Sequence, residues 1–273
     1  MMTVTALIIF FIGLIVKNQA AYIEFLEPKC LPPCGRITGG EVANMFGNQW
    51  MVLLLSEVPN CGGSLITNRF VLTAAHCQSP NTYATLGDYL ITYDSGRERR
   101  IPVDLQIPHP YYNSALLKND IALFRLAQPV EYTTFIRPIC LPLNYDALNG
   151  VSRLTVTGWG RTFHSEFSYV LKSATVNIYD RSWCRSLMRP VDESQICVRA
   201  GDGSPCFGDS GGPLTSYFDY GGTYVPVQIG VVSYGRSGCV TTSVHSRVYF
   251  YMNWISETVR QPDVPQYEDY TFY

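Results

Sequence analysis

The stretch Phe70-Val71-Leu72-Thr73-Ala74-Ala75-His76-Cys77 runs a short apolar strand into two alanines, a histidine and a cysteine. Branched and aromatic side chains favour the extended backbone, and the small residues after them leave room for a turn. Cys61, followed by Gly62 and Gly63, lies sixteen positions before Cys77. A bridge between these cysteines would hold the backbone of the histidine. Read alone, the segment fits a histidine packed in a hairpin as well as one held for chemistry.

Similar short apolar runs recur on either side. Trp50–Leu55, Asp120–Phe124 and Val227–Val232 are strand-like, and clusters of Gly, Pro and Asn separate them. The spacing predicts an all-β barrel or sandwich. A single helix is predicted near the end, from about Tyr251 to Arg260, with Met252, Ile255 and Val259 on one face. The 273 residues allow one large domain or two small ones, and no internal repeat divides them. Charged residues are only 15%, while Gly (22), Pro (17) and Tyr (19) are plentiful, a mix that suits strands and turns. The net charge of -2 argues against a nucleic-acid binder, which would need a basic surface to displace phosphate counterions.

Ala6 to Val16 is a run of eleven residues without a polar side chain, ended by Lys17. It is too short to span a bilayer and suits a secretory signal peptide over residues 1–20. Residues 21–36, rich in Pro and Cys, read as a leader rather than a core element, and 261–273 as a polar, aromatic tail. Nine cysteines in a secreted chain point to disulfides, and the odd number leaves one thiol free or bridging another chain. No paired CxxC and no HxxxH spacing suggests a metal site.

Gly208-Asp209-Ser210-Gly211-Gly212-Pro213 crowds one serine with glycines, which lets a backbone approach closely and lets N–H groups converge. A serine hydroxyl is a poor nucleophile without a base within hydrogen-bond reach. Only four histidines exist: His76, His109, His164 and His245. His109, between two prolines, and His164 read as loop residues, while His76, at the end of an apolar strand and beside a cysteine, is the candidate base. Asp120, an acid entering an apolar run, suits a buried partner that fixes the imidazole tautomer.

Taken with Ile37-Thr38-Gly39-Gly40, Asn119-Asp120-Ile121-Ala122-Leu123, Gly158-Trp159-Gly160 and Ser233-Tyr234-Gly235, these segments follow one another in a familiar order. Over about residues 37–260 the chain resembles the trypsin/chymotrypsin family of serine endopeptidases. The resemblance implies two six-stranded antiparallel β-barrels with a C-terminal helix, and a site in the cleft between them. It implies His76 as general base, Asp120 as its orienting acid, Ser210 as nucleophile, and the N–H groups of Gly208 and Ser210 as the oxyanion hole. Arg36-Ile37 resembles an activation site, where cleavage would free an amine that pairs with Asp209. Disulfides Cys61–Cys77, Cys184–Cys197 and Cys206–Cys239 are implied, with Cys140 paired to Cys30 or Cys34. Leu154 and Ser216 stand where the family has a further bridge.

The family comparison puts Ser204 at the base of the primary pocket, with Ser233, Tyr234, Gly235 and Ser243 along the substrate. A serine in place of the acid that would pair a basic side chain favours an apolar or aromatic residue there. Ser243 replaces a usual Gly and His245 a usual Tyr, so a narrower pocket and a non-catalytic binding module are competing readings, as is a basic preference restored by Asp202, two residues before Ser204. Asp88 and Glu98 sit where some relatives hold calcium, but a solvated turn accounts for them. No cofactor and no metal is expected. The implied partners are a protein or peptide substrate, an activating protease and a protein inhibitor, with no nucleic acid and no membrane after signal cleavage.

Overall fold

The structure is a computed structural model that describes residues 24–31, 47–56, 60–144, 146–160, 168–187, 190–200, 210–235 and 242–261. Two closed antiparallel barrels of six strands each make up most of it. The first contains β1 (Met51–Leu55), β2 (Cys61–Leu65), β3 (Phe70–Thr73), β4 (Tyr83–Leu86), β5 (Arg99–Pro108) and β6 (Ala122–Leu126), paired in the order β1-β2-β3-β6-β5-β4. The second contains β7 (Arg153–Gly158), β8 (Lys172–Tyr179), β9 (Gln195–Ala200), β10 (Pro213–Tyr220), β11 (Thr223–Gly235) and β12 (Thr242–Arg247), paired β10-β11-β12-β9-β8-β7. A short helix, α1 (Arg181–Leu187), sits between β8 and β9, and α2 (Met252–Arg260) ends the described chain. No described helix is long and apolar enough to cross a membrane.

Closure leaves no open sheet edge, and the continuous burial of β1 and β2 follows from it. One face of each strand fills a barrel; the other is covered on β1 and β2 but carries exposed residues on β5, β8 and the far end of β10. The first barrel's core is Val52, Leu54, Leu72, Leu86, Leu123 and their neighbours, and it extends into Val231, Met252 and Ile255. The barrels therefore share apolar surface rather than merely touching. A buried polar bond crosses the same joint and is supported by a second within β11. The Ser64 hydroxyl donates to Gln228 Oε1 at 2.6 Å, and Gln228 Nε2 donates to the Gly230 carbonyl at 3.1 Å.

The predicted helix is present but starts at Met252, because Val248–Tyr251 form a 3₁₀ turn first. Met252 and Ile255 face the core and Asn253 and Glu257 face water, as the spacing requires. Two readings need correction. Asp120 and Ile121 precede β6 rather than belonging to it. The segment before residue 36 is not wholly outside the core: Phe25 and Cys30 are buried with the second barrel's apolar residues. Pattern alone could not find this, since one phenylalanine among prolines and charges has no period to read.

Candidate active site

His76 lies in the 3₁₀ turn Ala75–Cys77 that follows β3. The two alanines before it, Ala74 and Ala75, are buried. Cys77 is bonded to Cys61 at the start of β2, with the Cα atoms 6.0 Å apart, so the turn is pinned to the neighbouring strand. The backbone N–H of His76 donates to Asp120 Oδ1 at 3.0 Å, and His76 Nδ1 lies 2.7 Å from Asp120 Oδ2. A carboxylate oxygen only accepts, so the proton of the neutral ring resides on Nδ1. Nε2 keeps its lone pair and is the basic atom.

Asp120 is fully buried. Its carboxylate accepts a third hydrogen bond, from the Ser233 hydroxyl to Oδ2 at 2.5 Å. Its backbone carbonyl accepts from the Ser246 hydroxyl at 2.7 Å. A buried carboxylate is tolerated only when its oxygens are occupied in this way. The turn before it is unusual: Leu117 and Asn119 have φ of +50° and +51°. Asn tolerates the left-handed region, and its side chain is used on both sides. Asn119 Nδ2 donates to the Tyr111 carbonyl at 2.7 Å, and its Oδ1 accepts from the Tyr251 hydroxyl at 3.1 Å. The residue before Asp120 is thus tied to the segment that starts α2. Burial and the charge of Asp120 push the Tyr112 hydroxyl up to about 12, so it stays neutral beside the acid.

Ser210 comes from the second barrel. Its carbonyl accepts from the Gly62 N–H at 2.7 Å, one residue from the Cys61–Cys77 bridge. The next residues are clamped to β11: Gly211 N–H donates to the Val232 carbonyl and Val232 N–H to the Gly212 carbonyl, both at 2.9 Å. Gly211 has φ of +78°, and a Cβ there would lie 2.1 Å from Thr73 Oγ1 and 2.5 Å from the Gly62 carbonyl. Only glycine fits, for conformation and for space. Ser210 is therefore half-exposed, with its backbone held against β2, which the Cys61–Cys77 bridge ties to the turn that carries His76.

Ser233, Tyr234 and Gly235 end β11, and Gly235 pairs with Ser243 on β12. The register slips between Val232 and Tyr234, so Ser233 sits in a bulge. A bulge turns a side chain out of strict alternation, and here it aims a hydroxyl at Asp120. The family resemblance implies only a substrate contact for Ser233; its bond to Asp120 depends on a bulge, which leaves no mark in the residue pattern. Two residues apart on the same face of β12, Ser243 Oγ lies 2.8 Å from His245 Nε2. His245 is fully buried, its Nδ1 has no hydrogen-bond partner among the described residues, and burial pushes the ring down to about 3. It is a neutral spacer at physiological pH.

His109 is not simply a loop residue. It is half-buried with its ring edge-on to Tyr251 and Trp254, at centroid distances of 5.1 and 5.0 Å, and burial lowers its pKa. Burial, with the charges of Glu98 and Asp94, pushes Asp88 up to about 6. Glu98 is held down to about 2 against its own desolvation by hydrogen bonds from Ser95. Cys61, His76 and Cys77 have ligand-type atoms within 4.8 Å of one another, but both sulfurs are consumed by the disulfide. Cys184 is bonded to Cys197, and Cys140 to Cys30 rather than Cys34. Arg36, Ile37, Cys34, Ser204, Cys206, Gly208, Asp209 and Cys239 lie outside the described residues.

Residues 37–255 match the family model described as Trypsin. The chain is 35% identical to melanization protease 1 of Drosophila melanogaster over 283 aligned positions, which cover 89% of this chain and 71% of the relative. It is 38% identical to chymotrypsin-C of Mus musculus, covering 82% of this chain and 89% of the relative. Human granzyme B is 32% identical, with 83% and 92% covered.

Proposed function

The chain belongs to the trypsin family of serine endopeptidases, and on that premise we propose that it is made as a secreted zymogen, activated by cleavage after Arg36, and cuts peptide bonds through an acyl-enzyme on Ser210. His76 Nε2 takes the Ser210 hydroxyl proton as the oxygen attacks the scissile carbonyl carbon. The N–H groups of Gly208 and Ser210 take the negative charge that forms on the carbonyl oxygen. The imidazolium, steadied by Asp120, gives its proton to the leaving amine. A water activated by the same nitrogen then hydrolyses the ester and restores the serine.

The observation that carries this reading is the His76–Asp120–Ser233 chain. Its distances of 2.7 and 2.5 Å, around a carboxylate with no exposure, orient the His76 ring with Nε2 as the basic atom, which supports its role as the base for Ser210. Secretion is supported by the apolar Ala6–Val16 segment and by the disulfides, which persist in oxidising compartments. Zymogen activation rests on Arg36-Ile37, with the new amine of Ile37 pairing with Asp209 to order the oxyanion loop. Ser204 at the pocket base favours an apolar or aromatic substrate side chain over a basic one. A trypsin-like activator and a protein inhibitor are the proposed partners besides substrate.

The test is cleavage of purified protein after Arg36, followed by a serine-directed fluorophosphonate and a peptide library varied at the residue before the cut. The expected result is label on Ser210 only after cleavage, with turnover greatest for apolar residues. Complete cleavage without labelling would reject the activation mechanism. Preference for Lys or Arg would reject the pocket assignment alone.

A further inference from the structure

Glu24–Leu31 is bonded along its length to residues 127–152, the connector between the two barrels. Leu26 N–H donates to the Leu141 carbonyl at 3.0 Å, Leu143 N–H to the Glu24 carbonyl at 2.8 Å, and Glu24 N–H to Asn144 Oδ1 at 3.2 Å. Phe25 and Pro142 form an antiparallel bridge, so the contact is strand-like. Glu27 Oε2 accepts from the Tyr132 hydroxyl at 3.1 Å, the Lys29 ammonium lies 5.7 Å from the same ring's centre, and an Arg137 N–H donates to the Lys29 carbonyl at 3.4 Å. The Cys30–Cys140 disulfide closes the contact.

The connector is itself bonded to both barrels. Ile139 N–H donates to the Leu65 carbonyl of β2 at 2.9 Å, and Gln228 N–H of β11 donates to the Cys140 carbonyl at 3.1 Å. The side chains of the segment diverge in the same two directions. Leu26 packs against the first barrel's core, while Phe25 and Leu31 pack against the second's. Phe25 is buried, with its ring edge-on to Tyr220 at 5.3 Å. A disulfide alone would tether a leader by one point; these contacts run along the segment from Glu24 to Leu31.

We propose that Glu24–Leu31 is an inter-barrel clasp that stays seated by its own contacts after cleavage at Arg36. Its seating holds the joint across which His76 and Asp120, from one barrel, must meet Ser210, from the other. The proposal rests on the activation reading above, but retention of the segment can be measured whether or not the cut enzyme turns over.

The experiment uses the full chain as Cys30→Ser/Cys140→Ser, which removes the tether and leaves Cys34 no partner at position 140. After cleavage at Arg36, native gel filtration and mass spectrometry follow the leader fragment. It is expected to co-elute with the catalytic chain, and to separate when Phe25→Ala and Leu26→Ala are added. Loss of the fragment is expected to lower kcat/KM by roughly 10-fold, since small misplacements of reacting groups are costly, and a synthetic peptide of residues 22–36 should restore it. A fragment that separates from the Cys30→Ser/Cys140→Ser protein, or a fragment-free enzyme with unchanged kcat/KM, overturns the proposal. Should the cysteine variant fail to fold, Phe25→Ala with the disulfide intact is the second arm. The amides of Leu26 and Leu143 should exchange at least 10-fold faster than in the unmutated protein, and unchanged exchange overturns the clasp.

Discussion

Asp120 is held by groups with separate jobs. His76 supplies a backbone N–H and a ring N–H, Ser233 supplies a hydroxyl, and Ser246 fixes the acid's own backbone. Asp120→Asn keeps the shape but lets the amide donate to the ring, which reverses the tautomer and puts the proton on Nε2. A fall in kcat of about 10⁴-fold is expected. Ser233→Ala removes one hydrogen bond to a charged group, worth about 1.5–3 kcal/mol, so kcat/KM should fall roughly 10- to 100-fold. Active-site titration before the rate measurement separates both effects from misfolding. An unchanged rate in Ser233→Ala would mean that the hydroxyl does not serve Asp120. Gly211→Ala is a different kind of change. Its Cβ would lie 2.1 Å from Thr73 Oγ1 at a φ of +78°, so the loop must move and carry Ser210 with it. Loss of fluorophosphonate labelling is expected even where circular dichroism shows a folded protein.

At the scale of elements, α2 makes the clearest case. Its nine residues are too few to be stable alone, so packing must hold it. Ile255 is fully buried and joins the core shared by the barrels, whereas Glu257 is exposed. Ile255→Ala should cost about 2–5 kcal/mol by leaving a cavity, and each kcal/mol should lower Tm by roughly 2–4 °C in a protein of this size. Glu257→Ala should stay within about 0.5 kcal/mol. Thermal unfolding of the two variants side by side checks the difference, and equal losses would mean that the helix is seated on another face.

Across the whole molecule, His245 links stability to acid. Its ring is pushed down to about 3 in the folded protein, against an ordinary value of 6.5. Between those values the unfolded chain binds a proton that the folded one refuses. The His245 contribution to stability is therefore complete above pH 6.5 and is lost as pH falls toward 3, on the order of a few kcal/mol in total. His245→Tyr should flatten the slope of unfolding free energy against pH across that window, measured by urea denaturation at steps from pH 7 to 4. A variant with the same slope as the unmutated protein would place the sensitive group elsewhere.

The all-β character and the terminal helix were legible in the residues, which also offered a histidine, an acid and a serine as candidates for chemistry. Those features are local: strand-forming runs, an apolar helix face, and glycines flanking a serine can be read within a few residues of one another. Tertiary structure alone decided what lies between distant segments. The bulge that turns Ser233 toward Asp120 depends on the register of two strands, and the tie from Tyr251 to Asn119 joins residues 132 positions apart. The choice of Cys30 over Cys34 followed from where the chain before it docks. The burial of Phe25 required a surface built from β10, β11 and the connector, and a residue pattern carries no record of the cavity that another part of the chain will offer it.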